Sequence, residues 1–181
     1  MQAIAIQLLF FMAALQHVIL FTFHAYGTWL PDEPAGYFLN KQGQRRSNET
    51  EARWYRRLQR DDATEFDGEA QKELIGGSRD AAIARGLSLY AVATEPTHLH
   101  LLVAWPFDEL PAKMRTSIKS TLTRRLNAAR QRRQWFGRGG HDRRVRDAEH
   151  FEHLRDVYFP KHTGWKWDRR IGLYREQRTL R

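Results

Sequence analysis

The alternation of apolar and polar positions marks out the elements of this chain. Val18-Ile19-Leu20-Phe21-Thr22-Phe23-His24 is β-branched and aromatic and breaks at Tyr26-Gly27-Thr28-Trp29-Leu30-Pro31, which predicts a first strand. Residues 32–46 contain Pro34, Gly36, Asn40 and Gly43 with little periodicity, and are expected to form a long surface loop. Residues 48–60 and 68–85 have helical character. In the second of these, Leu74, Ile75, Ala82 and Ile83 interleave with charges and can bury one face, while the adjacent Gly76 and Gly77 should kink or split the helix. Residues 87–93 predict a second strand, Pro96-Thr97 a turn, and residues 98–105 a third strand closed by Pro106. Residues 108–133 form the longest helical stretch, with Leu110, Met114, Ile118, Leu122 and Leu126 at steps of four. Arg143-Arg144-Val145-Arg146 reads as a short strand, and Asp147 as the N-cap of a helix through Phe151 and Leu154. That order of elements predicts an α+β fold, a ferredoxin-like βαββαβ sandwich with helices on one face of an antiparallel sheet and an added C-terminal helix.

Residues 1–15 are apolar enough to imitate a signal or anchor, but they lack a basic leading segment and are interrupted by Gln2 and Gln7, with Gln16 following. The stretch also falls short of the roughly 20 residues that span a bilayer, unless it merges with the run from Val18 to Phe23. It is expected to be an extra N-terminal element, residues 1–16, ahead of a single domain over residues 17–181, with no membrane association. With 181 residues and 41% hydrophobic content the chain can bury one real core. It has no cysteine, which excludes a disulfide framework and a thiolate zinc site and makes the cytoplasm the simplest location.

Charge narrows the picture. Thirty Lys and Arg against 21 Asp and Glu leave a net charge of +9, densest from Lys113 onward, a balance expected of a protein that meets nucleic acid. The long helix carries Lys113, Arg115, Lys119, Arg124 and Arg125 and continues into Arg130, Arg132 and Arg133, with no acid after Glu109. That face is either solvated or a track for phosphates, and Arg143-Arg144 would extend the track. Trp165 and Trp167 alternate with cations near the C-terminus, a composition that suits stacking on unpaired bases or, equally, capping of the core. Trp135, beside Arg133, invites the same two readings.

The candidate chemistry centres on His98-Leu99-His100 at the start of the third strand. Alternation places both imidazoles on one face about 7 Å apart, with Leu99 turned into the core. Such a pair either binds a divalent metal, provided a third ligand arrives from elsewhere, or is simply the polar face of a half-buried strand.

Phe21-Thr22-Phe23 with Tyr26-Gly27-Thr28-Trp29-Leu30-Pro31, then Pro96-Thr97-His98-Leu99-His100-Leu101-Leu102, then Tyr158-Phe159-Pro160-Lys161-His162, together resemble the single-tyrosine HUH transposases. The nearest branch is that of the REP-associated tyrosine transposases and their domesticated relatives, and the likeness covers residues 17–167. It implies a metal-dependent single-strand DNA endonuclease and strand transferase acting on single-stranded or hairpin DNA, as a monomer or homodimer. A tyrosine attacks a backbone phosphate, forms a 5′-phosphotyrosine link and releases a 3′-hydroxyl. Of six tyrosines, only Tyr158 lies in the late helix where the family keeps its nucleophile. The resemblance makes His162, four residues on, the third ligand beside His98 and His100. Pro160 lies between the two and must kink or restart the helix near Phe159. A divalent ion, Mg²⁺ or Mn²⁺, would neutralise the phosphate that otherwise repels a nucleophile, and an aryl oxide is a leaving group good enough to make joining reversible. Two other classes fit the same residues: a non-catalytic domesticated protein that binds hairpin or single-stranded DNA, and a metal-dependent phosphohydrolase that uses water.

Overall fold

The structure is a computed structural model that describes residues 17–175, apart from Glu33, Ala35, residues 40–42, Arg60 and Phe107. The N-terminal element expected over residues 1–16 lies outside the described residues. In chain order the elements are β1 (His17–His24), the hairpin β2 (Tyr37–Leu39) and β3 (Gly43–Arg45), α1 (Glu49–Leu58), α2 (Gly68–Arg85), β4 (Ser88–Thr94), β5 (His98–Trp105), α3 (Pro111–Ala129), β6 (His141–Arg144) and α4 (Ala148–His153). A π-helical turn (Leu154–Tyr158), a 3₁₀ turn (Phe159–Lys161) and the short strands β7 (Lys166–Asp168) and β8 (Gly172–Tyr174) follow.

Six strands form one sheet in the order β6-β1-β5-β4-β7-β8, antiparallel at every pairing. Its first four strands, with α2 and α3 as crossovers, have the ferredoxin-like order, and β7 and β8 widen the sheet beyond β4. Because side chains alternate along each strand, the sheet builds two cores. Phe21, Phe23, Leu99, Leu101, Val103 and Trp105 point to one side and meet Leu74 and Ile75 of α2 and Met114, Ile118, Leu122 and Leu126 of α3. Val18, Leu20, Leu102 and Ala104 point to the other and meet Phe151, Leu154 and Phe159. The C-terminal helical segment therefore covers the face opposite α2 and α3. His98 and His100, in step with Leu102 and Ala104, are on that face with it.

Four expectations need correction. Helix α2 runs unbroken through Gly76 and Gly77. The pair is a seat for α3: a Cβ at 76 would lie 2.7 Å from Arg125 Nη2, and one at 77 would lie 3.0 Å from Leu122 Cδ2. Helix α3 spans Pro111–Ala129 rather than residues 108–133. Pro111 sits in its first turn, where the missing N–H costs nothing, and extended backbone at Arg130 ends it so that Trp135 can return to the core. Residues 32–46 are not structureless, since they contain the β2–β3 hairpin, which turns into β3 at Gly43 with φ +78°. The last strand of the four-strand core spans His141–Arg144, two residues earlier than the apolar Val145 implied, because its register is set by β1. Among the described residues no helix is long and apolar enough to cross a membrane.

Candidate metal and nucleophile site

β5 is the rigid base of the site. It pairs with β1 on one side and β4 on the other, and Leu99, Leu101 and Val103 lock it into the larger core. The β1 register sets Thr22 opposite His100 and His24 opposite His98, so all four side chains share one face.

The second half of the site arrives on the C-terminal segment. Asp147 caps α4 by accepting from His150 N at 2.7 Å, as its sequence position implies. The helix then loosens into the π turn and tightens into the 3₁₀ turn, because Pro160 has no N–H to continue the ladder. This break brings Tyr158 and His162 to the same place, their ring centroids 5.0 Å apart. Beyond it, Lys166, fully buried, donates to His162 O, and the Glu95 carboxylate accepts from Thr163 N at 2.5 Å and Thr163 Oγ1 at 2.8 Å. The loop bearing His162 is thus tied to the turn that precedes His98.

His98, His100 and His162 converge until their candidate ligand nitrogens all lie within 4.8 Å of one another. The contacts at Nδ1 bear on which nitrogen carries the lone pair. His162 Nδ1 is 3.1 Å from Phe159 O, and since a carbonyl only accepts, this nitrogen carries the proton and Nε2 carries the lone pair. His100 Nδ1 meets Thr22 Oγ1 at 2.9 Å and His98 Nδ1 meets Thr97 Oγ1 at 3.0 Å, hydroxyls able to accept from the same tautomer. Burial, reinforced by the neighbouring imidazoles, pushes His100 down to about 2 and lowers His98, so both are neutral at physiological pH. Three converging imidazoles are a fitting donor set for a divalent transition ion.

Tyr158 Oη lies 3.2 Å from His100 Nε2. Burial raises its pKa, partly offset by the positive charge of Arg143, so the phenol is protonated at neutral pH. A cavity of about 390 Å³ opens between Tyr158, His98, His162, Lys161, Glu95 and Thr97.

The other residues singled out in the sequence fall elsewhere. Arg124, Arg125 and Arg130 belong to α3 or its end, across the sheet from the imidazoles. The acids missing from α3 itself come from α2 and its cap: Arg125 pairs with Glu73 at 2.6 Å and also with Asp80, and Arg130 pairs with Asp67. Arg124 and Arg132 are exposed, and Arg133 donates to Asp62 O while stacking on Trp135. Trp165 and Trp167 are half-buried against the α2 side of the core, under Lys72 and Arg79 respectively, and Trp135 is buried there too. On β6, Arg143 pairs with Leu20 and so faces the site, whereas Arg144 pairs with Ile19 and faces away. Sequence reasoning missed Thr22, Thr97 and His24. His24 and Thr22 form a pattern on β1 that mirrors His98 and His100, a signal that acquires meaning only once the register is known.

No family model matches the chain, and no curated protein matches it. Among solved structures it is similar to one described as "Structure of the REP associates tyrosine transposase bound to a REP hairpin", at 14% sequence identity and a TM-score of 0.45, over 81% of this chain and 66% of that one. The chain thus spans just under two thirds of that structure's length.

Proposed function

We propose that this protein is a metal-dependent single-strand DNA endonuclease and strand transferase of the single-tyrosine HUH kind, acting on hairpin-bearing DNA with Tyr158 as nucleophile. The observation that carries the reading is the meeting of three oriented imidazoles, His98, His100 and His162, with a phenol 3.2 Å from one of them. A divalent ion held by His98, His100 and His162 would neutralise charge on the phosphate. Three nitrogen donors suit Mn²⁺ better than Mg²⁺, which prefers oxygen.

The chain supplies the remainder. Tyr158 Oη bonds to phosphorus as the bond from phosphorus to O3′ breaks; the phenol gives up its proton and the departing 3′-oxygen gains one. The product is a 5′-phosphotyrosine and a free 3′-hydroxyl, and the aryl ester keeps the energy needed for rejoining. The positive charge of Arg143 helps the phenol ionise and meets the incoming strand. Of the remaining cations, Lys161 in the cavity is placed for the next phosphate, whereas Arg125 and Arg130 serve chiefly to hold α3 on α2.

The test is a denaturing gel with labelled single-stranded and hairpin oligonucleotides in Mn²⁺ or Mg²⁺. The parent protein is expected to give a nicked product and a DNA-linked protein band, both absent with chelator and in Tyr158→Phe. Nicking without an adduct, surviving in Tyr158→Phe, would assign the nucleophile to water. Binding without nicking would leave a hairpin-binding module.

A further inference from the structure

The motif Tyr26-Gly27-Thr28-Trp29-Leu30-Pro31 takes no part in the chemistry above, yet it ends beside it. Between the bridge joining Ala25 to Phe136 and the pairing of Thr22 with His141, β1 spends two residues and the opposing chain spends four, Gly137 to Gly140. The two extra residues bow outward and leave a cavity of about 110 Å³ lined by His24, Gly27, Trp29, Gly137, Arg138 and Gly140. This bow is held in shape: Gly137 N donates to His24 O at 3.0 Å, and Lys119 Nζ donates to Gly137 O at 2.8 Å and to Gly139 O. Gly140, at φ +142°, lies so close to Thr22 O that a Cβ would approach to 3.1 Å. On the opposite wall, Thr28 Oγ1 bonds Ala25 O and Thr97 O, which fixes the turn carrying Trp29 against the turn carrying His98.

The wall itself is aromatic and exposed. Trp29 stacks on His24 with centroids 5.5 Å apart and planes 27° from parallel, and 42% of Trp29 remains open to solvent. A large, flat, half-open ring backed by another ring is a poor way to fill a core and a good platform for a π-face. The exposed Arg138 on the same rim supplies a cation for the backbone of whatever stacks there. From this platform the rings step directly to the metal site, His24 to His98 at 6.1 Å and His98 to His100 at 4.8 Å.

We infer that the Trp29–His24 cavity is a nucleobase pocket, which takes one unstacked base of the single strand immediately flanking the phosphate that is cut. This rests on the nuclease reading, and it adds a register: the pocket fixes which phosphate arrives over the imidazoles. Base and phosphate then belong to the same or the adjacent nucleotide, because only one ring, His24, separates the platform from the first candidate ligand. Cleavage without the base loses its register, and cleavage without the platform loses its sensitivity to that base.

The probe is a set of single-stranded oligonucleotides carrying 2-aminopurine, or an abasic residue, at successive positions around the mapped cut, used with the full chain. Stacking on Trp29 should quench 2-aminopurine at one flanking position and not at positions several nucleotides away. An abasic residue there should lower affinity about five- to a hundredfold. Trp29→Ala should abolish that quench and make parent and abasic strands bind alike, while Trp29→Phe should restore most of the difference, which separates stacking from a folding defect. If the protein nicks the strand through Tyr158 but no flanking position is quenched, or if Trp29→Ala keeps the full abasic penalty, the pocket is wrong and the nuclease reading stands. A protein that binds no single strand at all would overturn both.

Discussion

Gly164→Ala is a sharp probe of how the site is held together, because the residue carries no functional group and lies two positions after His162. An ideal Cβ at 164 would be driven into the carbonyl oxygen of Thr94 and would come within 2.6 Å of Gln71 Oε1. The first obstacle is main chain at the end of β4, so no change of rotamer relieves it, and the segment must lift off that strand. Three hydrogen bonds are then at stake: Thr94 N to Trp165 O at 3.1 Å, Thr94 Oγ1 to the same carbonyl at 2.6 Å, and Trp165 N to Gln71 Oε1 at 3.0 Å. At about 1 kcal/mol for each bond, together with the strain of forced overpacking, the loss is roughly 4 kcal/mol. For a domain of this size that corresponds to a fall of about 10 °C in Tm by circular dichroism. Because the lifted segment also bears His162, Mn²⁺ affinity by calorimetry should fall with it. Gly68→Ala is the matched control: its Cβ would meet only Trp165 Nε1, at an ordinary 3.6 Å, and Tm should stay within about 2 °C. If Gly164→Ala also melts within about 2 °C of the parent, the backbone contact is not what positions the loop.

Thr22→Val keeps the shape of the side chain but strips the hydroxyl from His100 Nδ1; Mn²⁺ affinity should drop about 10- to 100-fold by calorimetry with Tm nearly unchanged, and an unaltered affinity would remove Thr22 from the site. Arg143→Ala should lower the log-log salt slope of single-strand binding by roughly 0.7, whereas Arg125→Ala should lower Tm and leave the slope alone; the opposite pattern would return α3 to the role of a phosphate track. Burial holds Lys119 at about 8, below its ordinary 10.5, so between those values the unfolded chain keeps a proton that the folded chain has released. Stability should therefore gain a rising contribution from pH 8 towards 10.5, and Lys119→Met should lose it; urea titrations whose parent-minus-variant difference is flat across that window would contradict the assignment.

The residues of the site were more legible in the sequence than its surroundings. Period-two alternation through His98, Leu99 and His100 gave both the face and the anchor, and Pro160 announced the break that lets Tyr158 and His162 converge. What stayed hidden was whatever depends on a neighbour distant in sequence. Gly76 and Gly77 read as helix breakers because the guanidinium of Arg125, which occupies the space of their missing side chains, is some 50 residues away. The basic face of α3 read as uncompensated because Glu73, Asp80 and Asp67 come from α2 and its cap. Thr22 and His24 carried no signal until pairing with β5 set them opposite His100 and His98.

The division of the hydrophobic interior by the sheet has a thermodynamic consequence. Two of the three imidazoles stand on β5, which is locked by the larger core, while the third and the tyrosine ride on a segment fastened mainly to the smaller one. Such a segment is a natural unit of sub-global opening, able to peel away while the sheet, α2 and α3 stay folded. An ion bridging β5 to that segment would bind the closed form alone, and would therefore slow amide exchange in residues 147–165 far more than in residues 99–103. In such a molecule the ion would act on the folding equilibrium of that one segment, about a tenth of the chain, and Tyr158 would meet the imidazoles only while the segment is closed.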